Sequence, residues 1–444
     1  MTNDTINQHR RHFLKTASAT GLSLSLASHC PLLSAAASNT RSPNDTVRVA
    51  ILGVNGFGAR LARVFAAAPH AQVGWICDVD QDVLGGVVDQ VQEIQGRSPQ
   101  TETDFRRLLE EPSLDALVIA TPNHWHVPAS LMGLQAGKHI YVEKPASHSA
   151  YEAILLAQAQ KKYRRLVQMG NQQRSHPPTI EAIGRLREGL IGRVYQARAW
   201  YANTRGTIGQ GTRAPVPANL DYALWQGPAP HMPYQDNIIH YNWHWFRQWG
   251  NGEIGNNGVH EIDVARWALG VDFPSRVTST GGRYHFDDDW EFTDTQDAGF
   301  TFGDEKSLVW QGRSCNGFPL GDRTRGVSVH GTDGTLLMDR AGYEVYDLDN
   351  RRVESNIPAT PEAPLNDNTG RHVRNFIAAI RTGEALNSPI ADTHKSALLA
   401  HLGNIAQQTS GALDTDPGSG EIRANERAAA LWKRAYAEGW EPRI

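Results

Sequence analysis

The sequence predicts a doubly wound, parallel α/β domain followed by an α+β domain with a large, mainly antiparallel sheet. Three observations predict it. Residues 47 to 170 alternate short apolar strand signals with helical stretches. A glycine-rich turn joins the first strand to the first helix. From residue 275 onward, β-rich runs follow one another with turn residues, not helices, between them. At 444 residues the chain is also long for a single domain.

In the first domain the strand signals are Val47–Leu52, Gln72–Cys77, Ala116–Ala120, Ile140–Val142 and Leu166–Met169. Helical stretches lie between them at Ala59–Ala68, Asp104–Glu110, Pro128–Ala136 and Ala150–Lys161. The second domain, 171–444, opens with a helix over Thr179–Glu188 after Pro177-Pro178 and a long strand over Arg193–Ala202. Strand signals recur at Ser275–Tyr284, Asp297–Phe302, Ser307–Gly312, Gly326–His330 and Thr335–Met338. Helical periodicity returns over His372–Arg381 and Thr393–Gln408.

Ahead of these domains, residues 1–37 read as a twin-arginine export signal. Arg10-Arg11-His12-Phe13-Leu14-Lys15 precedes a weakly apolar stretch to Leu33, and Ala35-Ala36-Ala37 supplies a small-residue cleavage site. The expected location is periplasmic or secreted, with the twin-arginine machinery as a partner. Residues 38–46 are a polar linker. Cleavage there leaves Cys77 and Cys315, too few for a disulfide scaffold, and no Cys/His cluster has zinc spacing, so no metal is expected. A net charge of -4 offers no basic field for nucleic acid, and no later apolar run is long enough to span a bilayer.

The turn Gly53-Val54-Asn55-Gly56-Phe57-Gly58 has the spacing of a dinucleotide-binding fingerprint, with Asn55 in the middle glycine position. Asn tolerates positive φ better than most residues, which predicts that the turn survives. Amides at the start of the helix can cradle a pyrophosphate. Asp78 closes the second strand twenty residues after Gly58, where an acid accepts hydrogen bonds from the adenosine ribose. A carboxylate there repels a 2′-phosphate, so NAD is expected over NADP. The plain alternative for Asp78 is a turn residue. Together these features make the first domain a Rossmann domain.

Three more segments end strands of this sheet: Thr121-Pro122-Asn123-His124-Trp125-His126, Glu143-Lys144-Pro145 and Gly170-Asn171-Gln172. Ligands of open α/β sheets bind at these carboxyl ends. With Gly258-Val259-His260-Glu261-Ile262-Asp263, they make the mature chain resemble the Gfo/Idh/MocA family of glucose–fructose oxidoreductase, inositol dehydrogenase and their relatives. The resemblance implies that Lys144 is catalytic beside the nicotinamide and that His260 sits near the reacting hydroxyl. It also implies that Thr121, Asn123, His126, Glu143 and Asn171 line the cofactor. Many relatives carry Asp where this chain has Asn256, and Asn cannot take a proton. Asp263, three residues after His260, is then a candidate to orient the imidazole, or else an acid of the helix surface or core edge. Lys144 ranks first as general base and His260 second.

Tyr241 to Trp249 is dense in aromatic residues and leads into the His260 motif. Flat rings against sugar C–H faces, with polar residues at the rim, suit a carbohydrate pocket; core packing or a subunit interface is the alternative. Candidate substrate contacts are Trp243, His244, Arg247, Asn256, Asn257 and His260, with Arg174, His176 and Tyr201 weaker. The Asp287–Asp289 run reads as a solvated turn.

The expected activity is hydride transfer between tightly bound NAD and a sugar, glycoside or polyol. One alternative is net glycoside hydrolysis, in which transient oxidation permits elimination, water addition and re-reduction. Relatives that work this way replace the lysine of the first motif, and this chain keeps it. A second alternative is a non-catalytic sugar-binding protein. The resemblance also implies a homo-oligomer.

Overall fold

Burial on both faces explains the first sheet. Strands β1 (Val47–Leu52), β2 (Ala71–Cys77), β4 (Ala116–Ile119), β5 (His139–Val142) and β6 (Val167–Met169) are near-continuous apolar runs. With the short edge strand β3 (Gln100–Glu102) they form an all-parallel sheet in the order β3-β2-β1-β4-β5-β6. The computed structural model describes residues 45–357 and 367–444, so the export signal and most of the linker lie outside the described residues. Helices α1 (Phe57–Ala67), α2 (Leu84–Gln95), α3 (Asn123–Gln135) and α4 (Ala150–Tyr163) make the crossovers.

The helix expected over Asp104–Glu110 is only one tight turn, Phe105–Leu108, started by Asp104 and followed by Pro112. Helix α2 and strand β3 have no counterpart in the sequence pattern. The first contains Gly85-Gly86 and buries only Val87 and Val91; the second has no apolar residue.

The second sheet has ten strands: β7 (Val194–Ala202), β8 (Arg276–Gly282), β9 (Thr295–Phe302), β10 (Lys306–Arg313), β11 (Arg325–Gly331), β12 (Thr335–Met338), β13 (Tyr343–Tyr346), β14 (Arg352–Ser355), β15 (Ala412–Thr415) and β16 (Ile422–Arg423). Their order is β14-β13-β12-β11-β7-β10-β9-β8-β15-β16, antiparallel except for the β7–β10 pair. Helices α7 (Val259–Leu269) and α9 (Ile390–Gln408) share one core with the sheet, in which Ile262, Leu398 and Leu402 meet Phe300, Leu308 and Trp310. Helix α5 (Pro177–Arg187) adds Ile183 and Leu186, and the short helix α6 (Tyr222–Gln226) lies in the connection between β7 and α7.

Two helices cross the expected boundary at residue 170. Helix α8 (Asn368–Thr382) returns to the first core, where Val373, Phe376 and Ile377 pack with Val49, Ile51 and Phe65. Phe376 lies edge-on to Tyr141 of β5, ring centres 5.8 Å apart. Helix α4 points Leu156 into the first domain and Ala150 and Ala153 into the second core.

The Asp287–Asp289 run is only in part a solvated turn: Asp287 is exposed, while its two neighbours are tied into the fold. The Asp288 side chain is fully buried and pairs with Arg283, while accepting from Thr207 Oγ1 and the Ile208 amide. Asp289 accepts from the Gly211 amide and Asn237. Both acids organise the long connection between β7 and α7. That connection reaches back to the first domain. Asp221 N donates to Val79 O at 2.9 Å, and Asp80 accepts from Asn219 at 2.6 Å and meets His240 Nε2 at 2.7 Å.

Candidate active site

The glycine turn is shaped by close packing. A Cβ on Gly58 would lie 1.8 Å from Gly53 O, and one on Gly53 would lie 2.9 Å from Ala120 O and Thr121 N. Positive φ falls on Gly53 and Gly56, at 77° and 60°. The turn survives with Asn55, but not through positive φ at that residue, because Asn55 is not among the residues with positive φ. Asn55 lines the cavity instead. Helix α1 starts without a side-chain cap and without an acid in its first turn, which leaves its amides free for an anion.

A cavity of about 630 Å³ runs from this turn across the carboxyl ends of the first sheet to the start of α7. Gly53, Gly56, Phe57, Asp78, Thr121, Asn123 and His126 line one part of it. Asp78 also holds the turn: its carboxylate accepts from Val54 N at 2.7 Å and Asp80 N at 3.0 Å. Burial raises its pKa above the usual carboxylate value. His126 spans two loops, with Nδ1 2.6 Å from Pro145 O and Nε2 2.8 Å from Thr121 O. Burial pushes it down to about 4, opposed by these two carbonyl contacts.

A dinucleotide fits these residues. The α1 amides are uncapped, Thr121 Oγ1 is buried with no partner, and the two glycines leave room for a closely approaching backbone. Asn171 is buried behind this wall with both amide atoms unpartnered, but does not line the cavity. Gly58 also does not line it and acts through packing.

Glu143 and Lys144 follow β5. The Glu143 carboxylate accepts from Gln172 Nε2 at 2.9 Å and presses on residue 170, where a Cβ would come within 2.4 Å of it. Burial raises Glu143, partly opposed by Lys144. Burial lowers Lys144 from the ordinary lysine range, opposed by Glu143. Lys144 Nζ donates to Asn256 O at 2.8 Å and to Asn256 Oδ1 at 3.2 Å.

Asn256 sits in a widened helical turn, Ile254–Gly258, which leads into α7 and brings Asn256, Asn257 and His260 onto the cavity. His260 is buried, its Nδ1 has no partner, and burial together with Lys144, Arg340 and Arg325 depresses its pKa well below the usual value. Trp243 and His244 also line the cavity, their rings stacked 3.6 Å apart, and His244 Nδ1 is 2.6 Å from Tyr241 O.

Five expected site residues lie elsewhere. Asp263 does not orient His260. It takes two 2.8 Å hydrogen bonds from Arg174 and one of 2.6 Å from Ser396 Oγ, in a buried cluster that Asp392 joins at 3.0 Å from Arg174. Arg174 lies over the Trp267 ring and is correspondingly absent from the cavity wall. Arg247 is committed to Glu291 and Phe292. Tyr201 lies one layer behind, against Arg325 at 5.1 Å. His176 is held by Thr179 at 2.9 Å.

Arg325 and Arg340 line the cavity and were not picked out from the sequence. They begin a strand and sit in a hairpin turn, where no local motif marks them. Among the described residues no group of three or more His, Cys, Asp or Glu could hold a metal, and no helix is long and apolar enough to cross a membrane.

Residues 47–171 match a family model described as an oxidoreductase family with an NAD-binding Rossmann fold, and residues 198–442 match that family's C-terminal alpha/beta domain. A glycosyl hydrolase family 109 protein of Saccharopolyspora erythraea is 32% identical over 156 residues, 34% of either chain. An alpha-N-acetylgalactosaminidase of Shewanella oneidensis is 26% identical over 212 residues, 44% of this chain and 46% of the relative. The chain therefore spans a third to under half of the length of these relatives. Levoglucosan dehydrogenase in complex with NADH and levoglucosan has a similar fold, with TM-score 0.66 at 18% identity, over 84% of this chain and 100% of that one.

Asp263→Ala leaves Arg174 buried without its main partner. It is expected to cost about 3–5 kcal/mol of stability in urea denaturation, with nucleotide still bound to the folded protein. Unchanged stability with lost turnover would return Asp263 to the catalytic group.

Proposed function

The chain belongs to the Gfo/Idh/MocA oxidoreductase family, and from that premise we propose that it transfers a hydride between firmly held NAD and a hydroxyl or keto group of a sugar, glycoside or polyol. The observation that carries this reading is the buried Lys144 Nζ, fixed by Asn256 on the cavity that His260 also lines. When bound, the nicotinamide supplies the hydride acceptor and donor.

Lys144 manages the proton. As the neutral amine it takes the proton of a substrate hydroxyl undergoing oxidation; as ammonium it returns a proton to a carbonyl oxygen undergoing reduction. Burial brings that exchange closer to neutral pH than for a solvated lysine. Neutral His260, with Nδ1 unpartnered, holds the substrate hydroxyl beside Lys144. Asn256 aims Nζ through two oxygens while adding no charge. Gly53, Gly56, Asp78, Thr121 and Asn123 hold the nucleotide, and the Asp78 carboxylate favours NAD over NADP. The connection clasped to Asp80 covers that end of the cleft, which supports slow nucleotide exchange.

The reading includes export by the twin-arginine pathway to the periplasm or beyond, supported by Arg10-Arg11 and the segment that follows. A bound nucleotide suits an enzyme exported already folded. A homo-oligomer is the expected assembly, as the family resemblance implies.

A second reading is favoured by the names of the two partial relatives: net glycoside hydrolysis with the nucleotide restored within each turnover. Retention of Lys144 supports the redox reading over it. A panel of sugars, polyols and nitrophenyl glycosides, read for both nicotinamide absorbance and products, separates the two. Redox change with an oxidised or reduced sugar supports the first. Nitrophenol release without net redox change supports the second, and no response from any compound contradicts both.

Asn256→Asp places a carboxylate against Lys144 Nζ and raises its pKa. The rising limb of the pH–rate profile for substrate oxidation is expected to move up by about 1 unit or more. An unmoved limb would show that another group is the base. Replacing Arg10 and Arg11 by lysine is expected to keep the protein in the cytoplasm on cell fractionation; undiminished export would remove the twin-arginine assignment.

A further inference from the structure

Two arginines stand on the cleft wall beyond Lys144. Arg325, the first residue of β11, faces the cavity with its guanidinium paired to Glu261 at 2.7 Å. Arg340 sits in the turn between β12 and β13. Asp339 shapes that turn by accepting from the Ala341 amide at 2.8 Å, and is itself tied to Arg323 at 2.9 Å. Arg340 lines the same cavity, is itself exposed, and has no hydrogen-bond or ion-pair partner among the described residues. Lys144, Arg340 and Arg325 all lie within electrostatic reach of His260.

The acids near this wall are already matched to other groups. Asp78 holds two backbone amides, Glu143 offsets the charge of Lys144, Glu261 pairs with Arg325 and Asp367 with Arg60, which leaves Arg340 without a counter-ion among the described residues. A guanidinium with no counter-ion beside a cavity attracts an anion that enters it. An arginine fork matches a carboxylate in two hydrogen bonds. The dinucleotide's phosphates have their own cradle at the start of α1, in the Rossmann half of the cleft, whereas Arg325 and Arg340 come from the second sheet.

We propose that Arg340, backed by Arg325, reads a carboxylate on the substrate, so that the preferred substrates are sugar acids such as hexuronates or their glycosides, not neutral sugars. The proposal rests on the cleft being a sugar site. In this arrangement the carboxylate anchors the sugar against Arg340, and a ring hydroxyl is presented to Lys144 and His260. Arg340 is a specificity-determining residue with no part in the proton transfer.

The test measures binding apart from turnover. Nucleotide-loaded protein is titrated calorimetrically with galacturonate and glucuronate, and with galactose and glucose, at low and high salt. At least one uronate is expected to bind about 10-fold or more tighter than its neutral counterpart, with the preference shrinking at high salt. Arg340→Gln is expected to erase most of that preference while neutral-sugar affinity and bound nucleotide stay unchanged. Arg340→Lys keeps the charge without the fork and is expected to keep part of it. Uronates binding no tighter than neutral sugars, or not at all, overturn the proposal. So does loss of nucleotide in Arg340→Gln, which would assign the arginine to the cofactor. Uronate preference without any redox turnover would count against the proposed activity and leave the anion site standing. Oxidation of neutral sugars without uronate preference would do the reverse.

Discussion

An ammonium group held out of water is the constraint on which the site depends. Lys144 follows β5 in the first domain, and its Nζ is received by the main-chain and side-chain oxygens of Asn256 in the second. Neither half makes that contact alone. Glu143 beside it is buried too, and the wall gives way to its carboxylate only because residue 170 is glycine. Each charge makes the other tolerable, and burial pushes both towards their neutral forms. A pair poised in this way can pass a proton near neutral pH, which a solvated lysine does poorly.

The packing that supports the pair explains the chain's path. Helix α4 faces both cores, and α8 crosses back from the second half to close the first. The Arg174–Asp263 pair, with Ser396 and Asp392, ties the segment after β6 to α7 and α9. Its residues fall within the motifs that also carry chemistry, which is why they were mistaken for site residues. Spacing on a helix says that Asp263 is near His260 in sequence, not which neighbour its carboxylate faces.

Much of the first domain was legible because its signals are local. Both-face burial makes β1, β4 and β5 apolar runs, and a tight turn against a neighbouring strand demands Gly53 and Gly58. Lys144 and His260 were legible through short motifs. What escaped depends on distant contacts. Strand β3 is polar because it lies at an edge, and β14 is exposed. Arg325 and Arg340 reach the cleft only because sheet order carries β11 and β12 past α7. Asn55 was given a conformational reason, whereas its neighbour Gly56 takes the positive φ. The anion site proposed for the substrate rests on such long-range residues, while the cofactor signal lies in the local turn.

The depressed pKa of Lys144 is the central claim, and titrating that one nitrogen tests it most directly. Nitrogen-15 NMR of lysine-labelled, nucleotide-loaded protein, with Lys144→Met to assign the resonance, reports its midpoint. The account predicts a value at least about 1 unit below the 10.4 of an unperturbed lysine. A midpoint at or above that value would contradict it, because Lys144 would then stay charged at working pH and could not take a proton from the substrate.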